Sequence, residues 1–432
     1  MSLERLFHPE SVLLIGSSRT NLSNLMVTPE IFRRVKENLR SFKGKTFACD
    51  IEKTTEFPES DLTIITLPPG EILDIAPRLR TKFLLVLSGG FKPEQRKKLL
   101  DISKGKFRVL GPNSVCGLIN TENGLNTTFE RFLEFRIGGI SVISQSGGVG
   151  AILLDYAISN KIGISKFAWA GDMTDINECD LLEYLIRDKR TKVILLYLES
   201  VKEPRRFMDI AKSSKKPIIA LKSGVSGEAK ERALTHTDSL STDSKIYSAA
   251  FEQSGVIEVQ NVRDLFNCSL LFETYKKLEL RNVAIISNTG GSSIIAADLC
   301  YKFGLKLAEF SEKTKSRMQK EYPGLETINP LDIRADADGE RYKHVLNLLV
   351  RDENVDSILV IAQLKSCLLE PEELEVLKRI KTGKPIVVCA PGDEDYRKVR
   401  FFLGDSLPLY SSIEDAVKVL KRVEEFWKDF YL

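Results

Sequence analysis

The chain has 432 residues, 43% apolar and 28% charged, an ordinary globular composition with room for about three domains. Lys plus Arg stands against Asp plus Glu as 63 to 60, a net charge of +3, and no basic stripe alternates with aromatics, which argues against a nucleic-acid surface. No apolar run is long enough to span a bilayer, and the N-terminus carries no signal-peptide pattern.

The seven cysteines are scattered without CxxC spacing, which predicts reduced thiols in a cytoplasm and no metal cluster. Val12–Ile15 reads as a first buried strand, and Gly16-Ser17-Ser18-Arg19 as the turn after it. That turn could hold a nucleotide's phosphates. It lacks the full GxGxxG pattern, and Asp50 after the second strand is a weak sign of a dinucleotide's ribose. Leu62–Leu67 and Phe83–Leu87 are further strands, with turns at Ser88-Gly89-Gly90 and Gly111-Pro112-Asn113-Ser114. All three turns fall at carboxyl ends of strands, where open α/β sheets take ligands; the competing reading is three simple turns.

Val142-Ile143, Val193–Leu198, Ile218–Leu221, Val283–Ile286, Ile358–Ile361 and Ile386–Val388 continue the series. Continuous apolar strands separated by helical stretches predict parallel sheets covered on both faces. An internal repeat sharpens this. Val142–Gly148 (VISQSGG) matches Ile285–Gly291 (IISNTGG), and Lys216–Ile219 matches Lys384–Val387. Each glycine turn opens a helix, with Val149, Ile152, Leu153, Tyr156 and Ala157 expected on one apolar face. Ile295, Leu299 and Phe303 are expected on the equivalent face of the second copy, with Gly304 as C-cap. Two doubly wound domains are therefore expected at 127–278 and 279–432, after a separate α/β unit at 1–126.

In Ser144–Gly148 the free N–H groups and positive end of a helix suit a phosphoryl group at Ser146, Gly147 and Gly148; a tight turn with steric glycines is the other reading. The first copy alone continues from Lys222 into a polar loop holding His236. Imidazole titrates near neutrality and is a nucleophile when one nitrogen is free. The other histidines, His8 and His344, read as structural or surface residues. Glu199 closes an apolar strand and either orients a histidine or is an exposed strand-end acid.

Together these segments resemble the alpha subunit of archaeal ADP-forming acetyl-CoA (acyl-CoA) synthetase, a relative of succinyl-CoA synthetase. The resemblance runs through Leu6–Val12, Gly111–Asn113, Leu125–Phe129, Ser144–Gly147, Tyr197–Glu199, Thr235–Thr237 with Lys245–Tyr247, and Asn329–Asp332. It implies an α/β chain with an N-terminal Rossmann-like CoA-binding domain and two tandem flavodoxin-like doubly wound domains. It implies the reaction acyl-CoA + ADP + phosphate ⇌ acid + CoA + ATP, through an acyl phosphate and a phosphohistidine. His236 matches the phosphorylated histidine, Glu199 its supporting acid, and Ser146, Gly147 and Gly148 the phosphate cradle. Gly16, Ser17, Ser18, Arg19, Ser88, Gly89, Pro112 and Asn113 fall at the CoA site. It further implies a small carboxylic acid as substrate and a separate ATP-grasp beta subunit carrying ADP or ATP with Mg, hence a hetero-oligomer.

The chain departs from the family at Asp238 and Thr242, where glycines are usual, and at Cys49–Glu52, which replaces the usual Asn-Pro. These departures support a second reading, a non-catalytic or regulatory paralogue with weakened CoA binding. A third, an NAD-dependent dehydrogenase, rests on the first turn alone.

Overall fold

The computed structural model describes residues 2–19, 29–130, 134–224, 244–275, 280–365 and 368–430. His236 and the loop around it, 225–243, lie outside the described residues. The chain divides into two compact units, Met1–Val262 and Arg263–Leu432.

The first unit holds two sheets. In the first, β1 (Ser11–Gly16), β2 (Lys45–Asp50), β3 (Ser60–Ile65), β4 (Thr81–Val86) and β5 (Arg108–Leu110) run parallel in the order β2-β1-β3-β4-β5. β3 is buried along its whole length, as expected of a strand covered on both faces. The second sheet contains β6 (Leu118–Asn120), β7 (Leu125–Asn126), β8 (Ile137–Ser144), β9 (Ile164–Trp169), β10 (Val193–Leu198), β11 (Ile218–Lys222) and β12 (Val256–Val259). Its order is β12-β11-β10-β8-β9-β6-β7. Only β6 and β7 are antiparallel, so residues ahead of 127 form the edge of this sheet. One apolar core runs from Val12, Leu14 and Leu62 of the first sheet to Ile143, Leu196 and Ala220 of the second.

The second unit is built on β13 (Asn282–Ser287), β14 (Lys306–Leu307), β15 (Leu331–Asp332), β16 (Ser357–Ile361), β17 (Ile386–Cys389) and β18 (Leu409–Tyr410). The order is β14-β13-β16-β17-β18, with β15 paired to β13 off this path. Numbered from its own first parallel strand, each of the three sheets reads 2-1-3-4-5 along this path. This is the flavodoxin-type doubly wound order, whose connections switch sides between strands 1 and 3.

The expected helices after the repeated turns are present, at Gly147–Ser159 and Gly290–Phe303, and Gly304 caps the second in the left-handed region at φ 72°. Leu153 and Ala157 are buried as expected, but the rest of the buried faces differ from the expected ones. Gly150, Leu153, Leu154 and Ala157 face the core in the first helix, and Ser293, Ala296 and Cys300 in the second. Ile152 and Ile295 are more than half exposed. Close approach to the sheet sets the phase: a Cβ on Gly150 would lie 2.1 Å from Trp169 Nε1. Small residues thus share the inner face with Leu153 and Leu154, and the apolar pattern alone places that face correctly only in part. His8 and His344 sit where the sequence placed them. His8 Nε2 lies 3.3 Å from Asn120 Nδ2, and His344 is a half-exposed partner of Glu321.

One buried ion pair ties the second sheet together. Lys166 Nζ, with a side chain only 1% exposed, lies 2.9 Å from Asp188 Oδ2, which also accepts the Thr191 N–H at 3.0 Å. Burial alone would push the Asp188 pKa up; hydrogen bonds from Thr191 and Lys166 outweigh it and hold the carboxyl below its ordinary value. Asp188→Asn should therefore lower the unfolding free energy at pH 7 by about 3–5 kcal/mol in urea titrations, because it strands a buried cation. The contribution is complete above the unfolded pKa of ~3.9 and is lost as pH falls through the depressed folded value. Wild type and variant should accordingly converge in acid.

Candidate functional site

In the second sheet the order reversal lies between β8 and β10, whose ends are in register at Ser144 and Tyr197. After β8 the chain turns into the helix Gly147–Ser159. Ser146 is its N-cap, in extended backbone, and its hydroxyl accepts the Val149 N–H at 3.3 Å. A Cβ on Gly148 would meet nothing within 4 Å, so this part of the first helical turn faces open space. First-turn N–H groups have no intrahelical acceptor, and they carry the positive end of the helix dipole.

Gln145 fixes the loop that follows β10. Its buried side chain accepts the N–H groups of Glu199 and of Ser200 (2.9 Å) and donates to Ser200 O at 2.6 Å. Further along, the fully buried Glu178 accepts the Lys202 N–H at 2.6 Å, and burial pushes the Glu178 carboxyl upward. Glu199, Ser200 and Lys202 are thereby presented to a cavity of about 610 Å³.

The opposite wall comes from two interlocked turns. Asp172 N donates to Pro112 O at 2.9 Å, and Thr174 N to Gly111 O at 3.1 Å. Gly171, at φ 61°, lets them close up, since a Cβ there would lie 2.3 Å from Pro112 O. The Asp172 carboxylate reaches Arg96 Nη1 at 3.4 Å and Asn113 Nδ2 at 3.3 Å at the mouth of the same cavity.

Of the residues singled out in the sequence, Asn113, Ser146, Gly147, Gly148 and Glu199 line this one cavity. Ser88 and Gly89 adjoin it: Ser88 O accepts the Asn113 N–H at 2.8 Å, and a Cβ on Gly89 would lie 2.8 Å from Asn113 Oδ1. Pro112 packs behind it, buried. Gly16, Ser17, Ser18 and Arg19 lie elsewhere, at the β1/β3 reversal of the first sheet. There Asp50 accepts the Ser18 N–H at 3.2 Å, Glu52 accepts the Ser17 hydroxyl, and Arg19 pairs with both Glu52 and Glu71. This turn is already engaged by the chain's own carboxylates. The His236 segment is described only at its ends. It leaves from β11, directly beside β10, with Ser223 N donating to Leu198 O at 3.0 Å. Beyond the segment, the Tyr247 ring lies 4.5 Å from Lys222 Nζ.

Sequence reasoning missed Arg96, Val115, Asp172, Met173, Thr174, Ser200 and Lys202 as cavity residues. β9 is not among the strands expected from the sequence. The apolar run Phe167–Ala170 ahead of Gly171-Asp172 repeats the strand-then-turn pattern that exposed the other sites.

Residues 137–272 match the family described as the succinyl-CoA ligase like flavodoxin domain. Subunit alpha of the ADP-forming acetate–CoA ligase II of Pyrococcus furiosus is 32% identical, over 96% of this chain and 95% of that one. The chain belongs to the family of ADP-forming acetate–CoA ligase alpha subunits. The ADP-forming acetate–CoA ligase I of Archaeoglobus fulgidus is 33% identical over 99% of this chain, which spans 64% of that longer relative. Among solved structures, the dinucleotide-forming acetyl-coenzyme A synthetase 1 of Candidatus Korarchaeum cryptofilum, in complex with phosphate and ADP, superposes with a TM-score of 0.89. It is 26% identical, covering 99% of this chain and 97% of that one.

The glycines of this alpha-subunit turn are not interchangeable. Gly150→Ala should destabilise by about 1–3 kcal/mol, because Trp169 must move. Gly148→Ala should keep or raise stability, by up to ~1 kcal/mol, since its Cβ enters open space. Paired thermal and urea unfolding of the two variants checks both.

Proposed function

We propose that this chain is the phosphate-carrying alpha subunit of an ADP-forming acyl-CoA ligase, interconverting acyl-CoA, ADP and phosphate with acid, CoA and ATP. One observation carries the reading. The N-terminus of the helix Gly147–Ser159, whose first-turn N–H groups suit an anion, shares the cavity at the β8/β10 reversal with the Glu199 loop, and the His236 segment departs from the adjacent strand. Phosphate bound at Ser146, Gly147 and Gly148 attacks the thioester carbonyl through an oxygen. The C–S bond breaks, and the phosphate proton passes to the leaving thiolate. His236 then takes the phosphoryl group from the acyl phosphate and releases the acid, with Glu199 supporting the imidazole. The helix dipole favours the phosphoryl group at both stages without having to reorganise.

CoA approaches over the first domain, residues 1–126, along Ser88, Gly89, Pro112 and Asn113. Gly16–Arg19 can receive its phosphates only by exchanging the contacts to Asp50, Glu52 and Glu71, which makes CoA the weaker-held partner. The phosphoryl group leaves on His236 for Mg-bound ADP on a separate ATP-grasp beta subunit, so the working form is a hetero-oligomer. The buried free thiols, Cys49 and Cys116 among them, suit a reducing cytoplasm.

With an ATP-grasp beta subunit and γ-phosphate-labelled ATP, the chain should take up acid-labile, base-stable label that maps to His236. His236→Ala should abolish the label without lowering the melting temperature. Ser146→Asp should also abolish it: aspartate is a good N-cap, so the helix persists while its carboxylate repels the phosphoryl group. A folded wild-type chain that stays unlabelled beside an active partner would instead be the non-catalytic paralogue.

A further inference from the structure

Four described residues other than glycine have positive φ: Asn113 at 60°, Lys161 at 53°, Met173 at 49° and Arg334 at 72°. Two of them, Asn113 and Met173, line the candidate cavity. Asparagine tolerates the left-handed region; methionine gains nothing local from it and carries a strain that glycine would relieve. Met173 is held there by the hydrogen bonds of its neighbours, Asp172 N to Pro112 O and Thr174 N to Gly111 O. Strain maintained at a cavity wall is a pointer to what the side chain does. Met173 is 7% exposed, and its sulfur lies 3.4 Å from Gln145 Nε2, at the start of the phosphate turn.

On the other flank of that turn stands Val115. A Cβ on Gly147 would lie 3.0 Å from Val115 Cγ2. The turn expected to hold phosphate is thus bracketed by two apolar side chains, Met173 beside Gln145 and Val115 beside Gly147. The other described side chains lining the cavity are polar or charged.

Bond formation fixes where the acyl group must lie. For a phosphate oxygen to bond the carbonyl carbon as the C–S bond breaks and the proton moves to the thiolate, that carbon must sit against the phosphate. Its substituent must then sit against whatever borders the turn. We infer that Met173 and Val115 form the acyl subsite and restrict it to short aliphatic acids, an inference that rests on the acyl-CoA reading above. Two aliphatic side chains cover a few carbons. A larger apolar acyl group would strip water from the partly exposed Arg96–Asp172 pair and offer neither charge a polar contact in its place.

The test uses the chain assembled with an ATP-grasp beta subunit, with ADP and phosphate present, and reads kcat/KM for acetyl-, butyryl- and phenylacetyl-CoA. Wild type should favour acetyl-CoA over phenylacetyl-CoA. Met173→Gly and Val115→Ala should each raise the butyryl-to-acetyl ratio by about 10-fold or more, the scale of added methylenes in a hydrophobic pocket. Loss of folded protein lowers all three values together and leaves the ratio alone, and Val115→Ala decides the matter if Met173→Gly does not fold. Unchanged ratios in both variants, with His236 labelled normally, would overturn the subsite and leave the phosphohistidine reading standing. A wild type that turns over none of the three would overturn both.

Discussion

A doubly wound parallel sheet leaves a crevice where its strand order reverses, because the helices on either side of the reversal pack against opposite faces. The candidate site depends on that gap between β8 and β10. Strand ends alone would leave the loops around it loose. Gln145 prevents this by satisfying two N–H groups and one carbonyl of the Glu199 loop from the turn opposite. Because the brace is buried, breaking it would strand backbone groups away from water, which is more costly than the hydrogen bonds are individually worth. The helix end and the backbone of the Glu199 loop therefore hold one geometry relative to each other.

The second unit shows how much of this is scaffold. Asn288 stands where Gln145 stands in the repeat and makes a smaller brace of the same kind, on one residue instead of two: its Nδ2 donates to Gln363 O at 2.8 Å, and its Oδ1 accepts the Gln363 N–H at 3.0 Å. Register places Gln363 where Glu199 lies, two residues past the strand position that pairs with the preceding serine. The brace is thus common to both copies, while the carboxylate belongs to the first. An amide in place of an acid carries no charge to support a cationic imidazole, so on the proposed function the copies share architecture and differ in chemistry.

Much of this was legible in the sequence because it is local. Apolar runs marked the strands, the repeated SQSGG and SNTGG turns marked the helix starts, and a loop confined to one copy marked His236. What escaped was non-local. Arg96, Asp172 and Met173 reach the cavity from elements that no motif connects, and they meet there only because two turns interlock through Gly171. Helix phase escaped for a related reason. The inner face is set by how closely Gly150 approaches Trp169, which apolar periodicity does not encode. The Gly16–Arg19 turn looked open in sequence, since nothing local announces that Glu52 and Glu71 reach back to Arg19.

In the proposed mechanism phosphate attacks the thioester directly, and the acid is released by transfer of the phosphoryl group away from it. The origin of the oxygens in the product acid distinguishes this route from hydrolysis. When acyl-CoA is consumed by the assembled enzyme in oxygen-18-labelled phosphate and unlabelled water, mass spectrometry of the product acid should find a single phosphate-derived oxygen in its carboxylate. That oxygen stays with carbon when the P–O bond breaks. An acid whose new oxygen comes only from water would mean that the thioester is hydrolysed rather than phosphorolysed, and the account given for Ser146, Glu199 and His236 would be wrong.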